Sequence, residues 1–498
     1  MTFRWSVVLG ILVCVSPLNS GCSSAARPQA DVGQTNPDAG PARPDAGPTV
    51  SISIDWTQEK GTFSNYLFAA DDLSFFSAEG YQLASAAGIR AVTFNTATNS
   101  FLPYSMQKAE LLAQYGLEGI LYVLMTEPLS AAQLETQAAT LLDELKRVKQ
   151  AYPQLVMKTF LLGNEPDLAQ LNFWKGTPEQ FFANFAVLAK YLKARDPGLV
   201  VGGPGVSGEP LTGDAAAAWT TWVEAFFQYL HQNQVPLDFF AFHSYSTEVR
   251  TLFVDRLEYF KGLVARYPDL SPLYGTPRLA NSEWDIIASP CHGSNPYYPE
   301  LDTAWRAAHN ILALSAMADH DLWMSDEMGG PFFNPSDPSM DCLWVKVDKT
   351  PKPVYWGHAA FNALAGTVRL ASQGANFETL SVIAGKSPDG NSITVVAANY
   401  DQKAYLALYP LQRPAVPGIL PEDPAQSADA EVYGSYHLEI RNLPWPAGTK
   451  VKLERKLVDA QHSLEVVESS EITAGPSLVL ERETHTPEVQ LITLRQMR

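Results

Sequence analysis

The chain has 498 residues, enough for two or three domains, and its apolar fraction of 46% permits a large buried core. Its 53 acidic and 35 basic side chains give a formal net charge of −18. A surface this acidic repels polyanions at long range, so we expect no nucleic acid among its partners.

The first 22 residues have the pattern of an export signal. Arg4 precedes an apolar run, residues 7–15, that is too short to span a bilayer and suits the core of a signal peptide. The Ser-Gly pair before Cys22 resembles a bacterial lipobox, although Asn19 stands where that pattern has an aliphatic residue. We therefore expect an exported lipoprotein, lipidated at Cys22 and anchored to the outer membrane or cell surface. Ordinary signal cleavage and secretion is the alternative.

Residues 23–49 are predicted to be a disordered linker. They are rich in Pro, Ala, Gly and Asp, and they carry almost no large apolar side chain. Such a segment buries too little surface to offset the entropy lost on ordering. It is therefore expected to act as a tether between the anchor and the folded protein.

Cysteine usage agrees with export. Apart from Cys14 in the signal and Cys22, the chain has one pair, Cys291 and Cys342. An even number of cysteines in an oxidising compartment predicts a disulfide between these two. Two separate buried thiols are the alternative.

Between residues 50 and 365, short apolar runs alternate with longer helical patterns. This alternation predicts a (β/α)₈ barrel, with a doubly wound open sheet as the alternative. The eight strand candidates are residues 66–70, 88–94, 119–125, 157–162, 199–203, 237–242, 278–281 and 321–324.

Residues 366–498 have a different texture. Turn residues separate short β-like runs there, and helical periodicity is scarce. This pattern predicts a C-terminal all-β sandwich. The runs include residues 380–384, 392–398, 405–409, 437–440 and 489–494.

Two glutamates stand at the ends of predicted barrel strands. Glu165 follows the fourth strand, in Gly-Asn-Glu-Pro-Asp, and Glu283 follows the seventh, in Asn-Ser-Glu-Trp. Side chains at the carboxyl ends of the strands meet in the mouth of such a barrel, where active sites lie. Glycosidic cleavage needs a carboxylic acid to protonate the leaving oxygen and a carboxylate at the anomeric carbon. Asp326 and Glu327, after the eighth strand, are the rivals to Glu283.

Asn164-Glu165-Pro166 after an apolar strand, with Glu283 on the seventh strand, resembles the clan of retaining glycosidases built on (β/α)₈ barrels. The resemblance implies that Glu165 is the general acid/base and Glu283 the nucleophile. The sequence around Glu165 is most similar to heparanase-type β-glucuronidases of family 79. Residues 456–463 are similar to β-xylosidases and α-iduronidases of family 39. In such enzymes a strand that precedes the barrel joins the C-terminal β-sandwich, which implies a strand at residues 50–55.

The same resemblance implies substrate contacts around the two glutamates. Asn164 matches the residue that hydrogen-bonds the sugar 2-hydroxyl. Tyr245, at the end of the sixth strand, matches an aromatic hydroxyl that contacts the nucleophile. His243 is a further candidate, with a structural role as the alternative.

Five other residues are predicted to contact the sugar. Aromatic faces pack on the C–H faces of pyranoses, so Trp284 and Trp323 are predicted platforms, with core packing as the alternative. Asp71 (with its neighbour Asp72) and Asn95 end the first two strands and are predicted to bind hydroxyls, with ordinary loop caps as the alternative.

The sequence therefore predicts a retaining glycoside hydrolase that acts outside the cytoplasm on an oligosaccharide, a polysaccharide or a simple glycoside. Its histidines show no metal-ligand spacing, so no metal and no cofactor are expected. A non-catalytic carbohydrate-binding lipoprotein and a structural or adhesion lipoprotein are the alternatives, and the two strand-end glutamates favour the enzyme. The sugar stays open between β-glucuronides, as in family 79, and β-xylosides or iduronides, as in family 39.

Overall fold

A computed structural model describes residues 47–71, 78–96, 101–168, 173–207, 213–286, 299–327, 330, 344–346, 348–410, 427 and 429–497. The signal, most of the linker and Asp72 lie outside these residues. So do Cys22, Cys291 and Cys342, and with them the predictions of a lipid anchor and a disulfide. None of the described helices is both long enough and apolar enough to cross a membrane.

The first architectural unit is a closed barrel of eight parallel strands, which confirms the predicted (β/α)₈ fold. Each of the eight apolar runs overlaps or directly precedes a strand. The strands are β2 (Ala69–Asp71), β3 (Ala91–Thr96), β4 (Glu118–Val123), β5 (Met157–Leu162), β6 (Val200–Val206), β7 (Phe239–Tyr245), β8 (Arg278–Asp285) and β9 (Met324–Glu327).

Helices surround the barrel, and local sequence signals mark where several of them begin. Ser130 and Thr177 each form a capping box with the glutamine three residues on, and Pro178 occupies the first turn that follows Thr177. The helices are α1 (Ala78–Ala86), α2 (Phe101–Tyr115), α3 (Ala131–Ala151), α4 (Pro178–Arg195), α5 (Gly213–Gln232), α6 (Arg256–Val264), α7 (Ala304–Asp319) and α8 (Pro353–Asn362).

The second unit, hereafter the β-domain, is a nine-stranded sheet with the order β15-β14-β17-β12-β11-β10-β1-β13-β16. The strands are β1 (Thr49–Thr62), β10 (Val368–Gln373), β11 (Leu380–Lys386), β12 (Ser392–Asn399), β13 (Ser435–Arg441), β14 (Lys450–Val458), β15 (Ser463–Thr473), β16 (Ser477–Glu483) and β17 (Glu488–Gln496).

β1 joins this sheet, antiparallel to β10 and parallel to β13, which confirms the strand implied at residues 50–55. The barrel itself therefore begins after β1 and not at residue 50. The β-like run at residues 405–409 was a wrong prediction, because Gln402–Leu408 forms a helix, α9. The Asp401 carboxylate accepts hydrogen bonds from the amides of Lys403 and Ala404 and so caps that helix.

The β-domain packs against the barrel through α7 and α8. β11, β12 and β17 contact α7, and β17 also contacts α8. Every residue of α7 from Ala304 to Ala318 is buried, as expected for a helix enclosed between the barrel and the sheet. This shared core fixes the β-domain beside the β8–α7 segment of the barrel.

Candidate active site

The loop after β5 presents Glu165 in an uncommon backbone conformation. Glu165 has a φ of 42° and follows Gly163, whose φ is 94°. A non-glycine residue in this region is uncommon and persists where the surrounding structure holds it. The amide of Glu165 donates to the carbonyl of Gly205 at 2.8 Å, which ties the loop to the end of β6. The backbone therefore holds the side chain of Glu165 at the end of the barrel where the strands terminate.

Three titratable side chains meet there. His243 Nδ1 lies 3.0 Å from Glu165 Oε1 and 3.8 Å from Glu283 Oε2. A ring nitrogen of His243 and one carboxylate oxygen each of Glu165 and Glu283 all lie within 4.8 Å of one another. The His243 side chain is fully buried, whereas those of Glu165 and Glu283 keep 12% and 19% exposure. The structure thus brings the two glutamates together, partly open to solvent, above a buried imidazole.

Two tyrosine hydroxyls orient the polar groups of this cluster. Tyr245 Oη donates to Glu283 Oε1, and Tyr122 Oη donates to Asn164 Oδ1. Tyr122 lies near the end of β4 and was not among the predicted site residues. The sequence offers one indication of this role, a single tyrosine in the otherwise apolar run at residues 119–125. A buried tyrosine hydroxyl usually has a hydrogen-bond partner, so such a residue is a candidate for a polar contact.

The environment keeps Glu165 less acidic than an ordinary glutamate. Burial raises the pKa of Glu165 to about 7, and Glu283 adds to this rise, while the hydrogen bond from His243 opposes it. Burial alone would lower the pKa of His243, yet the charges of Glu283 and Glu165 raise it above its ordinary value. At neutral pH a substantial share of Glu165 therefore keeps its proton.

Asp167 is a second residue that the sequence analysis missed. Its carboxylate accepts hydrogen bonds from the amide of Ser207 at 3.1 Å and from the Ser207 hydroxyl at 2.5 Å. Burial raises the pKa of Asp167, and its charge adds to the raised pKa of Glu165. Asp167 therefore holds the loop after β5 in place and contributes to the raised pKa of Glu165.

The sequence of this chain is similar to those of known glycoside hydrolases. The model of glycosyl hydrolases family 39 matches residues 145–263, which include Glu165, His243 and Tyr245. A β-xylosidase of Geobacillus stearothermophilus is 27% identical over 219 residues, 41% of each chain. A β-xylosidase of Caldicellulosiruptor saccharolyticus is 33% identical over 90 residues, 18% of this chain and 16% of that one. The chain resembles the family 39 glycoside hydrolases. The matched region spans about two fifths of the first relative and about a sixth of the second.

Solved structures extend the likeness in fold to almost the whole of this family 39-like chain. A glucosidase from Croceicoccus marinus has a TM-score of 0.67 at 19% identity, covering 91% of this chain and 100% of that one. A monomeric β-xylosidase from Caulobacter crescentus has a TM-score of 0.63 at 14% identity, covering 90% and 100%. At these identities the likeness concerns the fold.

In the family 39-like barrel, Glu327 belongs to a buried ion-pair network. It is 1% exposed. Its Oε1 accepts from Arg306 and from the Trp344 indole, each at 3.0 Å, and its Oε2 contacts His358. Arg306 also pairs with Asp285 at 2.5 Å. Three buried side chains thus hold the Glu327 carboxylate, whereas Glu283 keeps 19% exposure.

We expect Glu327→Ala to destabilise the protein, because it removes the buried carboxylate that both Arg306 and His358 contact. Breaking such a buried pair costs about 3–5 kcal/mol of unfolding free energy. Thermal unfolding measured beside Glu283→Ala is the check, since Glu283 is partly exposed and its removal should leave the melting temperature close to that of the wild type. Equal melting temperatures for the two variants would contradict this division of roles.

The two predicted tryptophan platforms are wrong. Trp284 is fully buried, its indole donates to Ser325 Oγ at 2.8 Å, and its ring packs on Phe253. Trp323 is 6% exposed and packs on Phe239, the first residue of β7, at 5.2 Å. Its ring therefore lies at the amino end of the barrel, opposite the site. The core-packing alternative holds for both.

The remaining predicted contacts have mixed outcomes. Asp71 ends β2 at the carboxyl face of the barrel, whereas the side chain of Asn95 lies outside the described residues, so its role stays a prediction.

Burial raises the pKa of Tyr122 well above its ordinary value, with further contributions from the charges of Glu283, Glu165, Asp71 and Asp326. The mouth of the barrel is thus strongly acidic.

The spacing of Glu165, His243 and Glu283 also suits a divalent cation, since each offers one ligand atom within 4.8 Å of the others. These atoms already hydrogen-bond within the protein: His243 contacts Glu165, and Tyr245 donates to Glu283. A cation would have to compete with those bonds. The expectation of no metal stays a prediction.

Proposed function

We propose that the chain is a retaining glycoside hydrolase in which Glu283 is the nucleophile and Glu165 the general acid and base. The observation that carries this proposal is the spacing of the two carboxyl groups, which have oxygens within 4.8 Å of each other. Retaining enzymes hold their carboxyl groups about 5–5.5 Å apart, whereas inverting enzymes leave about 6.5–9.5 Å for a water molecule. An oxygen-to-oxygen separation within 4.8 Å favours the shorter of these two group spacings and so supports direct attack on the sugar.

The hydrogen bonds divide the labour between the two groups. Tyr245 holds Oε1 of Glu283, which leaves Oε2 to form a bond with the anomeric carbon as the bond to the leaving oxygen breaks. Glu165 gives its proton to that oxygen. In the second step Glu165 removes a proton from water, the water oxygen bonds to the anomeric carbon, and Glu283 is released.

The raised pKa of Glu165, about 7, supports its assignment as the acid. A general acid is most effective when its pKa lies near the working pH. Asn164 completes the arrangement, because Tyr122 occupies its carbonyl oxygen and leaves its amide group to donate to a sugar hydroxyl. Such a bond to the 2-hydroxyl strengthens as the anomeric carbon gains positive charge.

The charge of the site favours a neutral sugar over a uronate. In the sequence, the segments between each barrel strand and the next helix contain five Lys or Arg residues. Arg250 pairs with Asp255. Lys346 and Lys352 pair with Asp302, Lys349 pairs with Glu79, and Lys175 is exposed. A uronate carboxylate would instead meet the acidic mouth described above. This supports a β-xylosidase-like activity over a β-glucuronidase-like one, and both relatives compared above are β-xylosidases.

The proposal is tested with 4-nitrophenyl glycosides and purified protein. We expect the β-xyloside to be hydrolysed, with kcat/KM at least about 10²-fold above that for the β-glucuronide, because like charges in a site cost several kcal/mol. Proton NMR should show the β-anomer of the sugar as the first product. Glu283→Ala is the control for contaminating activity.

Two results would overturn the proposal: a first product of inverted configuration, or sugar binding without hydrolysis of any glycoside. The second result would favour the carbohydrate-binding lipoprotein. A preference for the β-glucuronide would leave the retaining mechanism intact and contradict the substrate class.

We further propose that the protein is exported and anchored to a membrane through Cys22. The apolar run at residues 7–15, the Ser-Gly pair before Cys22 and the linker support this. We expect the wild type to partition with membranes and Cys22→Ser to be released or misprocessed. Wild-type protein found entirely in the soluble fraction or the medium would contradict it.

A further inference from the structure

The β-domain contacts the loop that follows Tyr245 at the mouth of the barrel. Tyr400 Oη donates to the carbonyl of Thr247 at 2.9 Å, and Gln402 Nε2 donates to Thr247 Oγ1 at 2.8 Å. All three residues are buried, with exposures of 0–2%. Two hydrogen bonds shielded from water therefore connect the β-domain to Thr247.

Thr247 is close to the nucleophile along the chain and across the sheet. It lies two residues after Tyr245, whose hydroxyl holds Glu283. β7 and β8 are neighbours, Tyr245 is in register with Asp285, and the amide of Ser246 contacts the carbonyl of Asp285. A shift of the loop at Thr247 would move Tyr245 relative to Glu283.

The two donors of the β-domain are themselves held in place. The ring of Tyr400 packs against His309 and Trp305 of α7, with centroids 5.1 Å and 6.0 Å away. Gln402 begins α9, where the carboxylate of Asp401 caps the helix. Since the ring of Tyr400 and the backbone at Gln402 are held in this way, the two residues can impose a position on Thr247.

We propose that the β-domain positions the nucleophile, with Tyr400 and Gln402 acting as positioning residues through Thr247 and Tyr245. Its catalytic consequence rests on the proposed function. A misplacement of about 1 Å in a reacting group can cost about 10²-fold in rate, even when the altered residue lies far from the chemistry. Tyr400 and Gln402 would thus control the chemical step without touching the substrate.

The test is Tyr400→Phe, which removes the hydroxyl and keeps the ring that packs on α7. Tyr436→Phe is the matched control, because Tyr436 is equally buried in the β-domain and its hydroxyl donates to Gln490 Oε1 at 2.8 Å. Each variant loses one buried hydrogen bond and so suffers a comparable loss of stability. Thermal unfolding gives the melting temperature of each variant. The readouts below are then measured at a temperature below both transitions, where both variants remain folded.

The catalytic readout is covalent trapping by 2,4-dinitrophenyl 2-deoxy-2-fluoro-β-xyloside, which reports attack by the nucleophile. We expect Tyr400→Phe to lower the maximal inactivation rate about 10-fold, with little change in the inhibitor's apparent binding constant. Tyr436→Phe should react as the wild type does. A merely structural role of Tyr400 would affect both variants alike.

The second readout is hydrogen exchange of the backbone amides in the segment 246–251, which needs no activity. In this segment the amide of Glu248 donates to Ser246 Oγ, and that of Arg250 donates to the Glu248 carboxylate. We expect faster exchange there in Tyr400→Phe than in Tyr436→Phe. Equal exchange overturns the proposal, and so does faster exchange with an unchanged trapping rate. A wild type that is never trapped contradicts the proposed function, and the exchange data then still decide whether Tyr400 holds the loop.

Discussion

Replacing Glu283 with alanine is expected to lower kcat on any glycoside substrate by roughly 10⁶-fold, the order seen when the nucleophile of a covalent hydrolase is removed. The physical reason is that no glycosyl–enzyme ester can form without this carboxylate. Because the side chain is partly exposed and its main contact is the hydroxyl of Tyr245, the variant should stay folded. Activity on 4-nitrophenyl β-xyloside, measured beside the melting temperature, checks both statements.

Azide gives this prediction a second arm. In Glu283→Ala a small anion fits the space left by the carboxylate and can attack the anomeric carbon directly while Glu165 still protonates the leaving group. A β-glycoside should therefore yield the α-azide, with inverted configuration. Recovery of a β-azide, or substantial activity without azide, would remove Glu283 from the nucleophile position. Tyr436→Phe, which is remote from the site, serves as the control for handling and folding.

The barrel was predictable because each of its strands carries its own local signal. A strand enclosed by helices reads as a short apolar run, and eight such runs separated by helical patterns admit few other folds. The positions of Glu165 and Glu283 followed from the same pattern, since both stand at the ends of runs and the carboxyl ends of parallel strands meet. The strand at residues 50–55 followed from the family resemblance alone, because its partners β10 and β13 are more than 300 residues away.

The direction of individual side chains was less predictable. Trp284 follows Glu283 directly, and the sequence cannot tell which of two adjacent residues faces the mouth. The structure has register irregularities between Phe242 and His243 and between Asn281 and Trp284. A one-residue shift exchanges the inner and outer faces of a strand, so strict alternation fails where the proposed catalytic side chains lie.

Contacts between distant segments were outside the reach of the sequence. The network around Glu327 joins β9, α7 and α8 through Arg306 and His358. The spacing of these three residues in the sequence does not indicate that they contact one another. The hydrogen bonds from Tyr400 to Thr247 likewise cross from one architectural unit to the other. In the sequence, residues with such long-range contacts cannot be told from other polar residues. Only the folded structure shows which side chains they contact.

Replacing Glu165 with alanine is expected to give losses that depend on the leaving group. A poorly activated glycoside needs protonation of its leaving oxygen and should lose about 10²–10⁴-fold in kcat/KM, the range that general acid catalysis supplies. A dinitrophenyl glycoside leaves without protonation, so its first step should survive while the glycosyl–enzyme accumulates. A burst of released phenol followed by slow turnover is the measurement, and equal losses on both substrates would contradict the acid role.

The same variant should also change the pH dependence and respond to azide. In the wild type Glu165 has a pKa of about 7 and must be protonated in the first step, so kcat/KM for a poor leaving group should fall as the pH rises through about 7. Glu165→Ala lacks this group and should lose that basic limb. Azide needs no base to attack the glycosyl–enzyme, so it should restore turnover in Glu165→Ala and release the β-azide from a β-glycoside, the opposite configuration to that expected for Glu283→Ala. An α-azide from Glu165→Ala, or a basic limb unchanged in that variant, would exchange or remove the two roles.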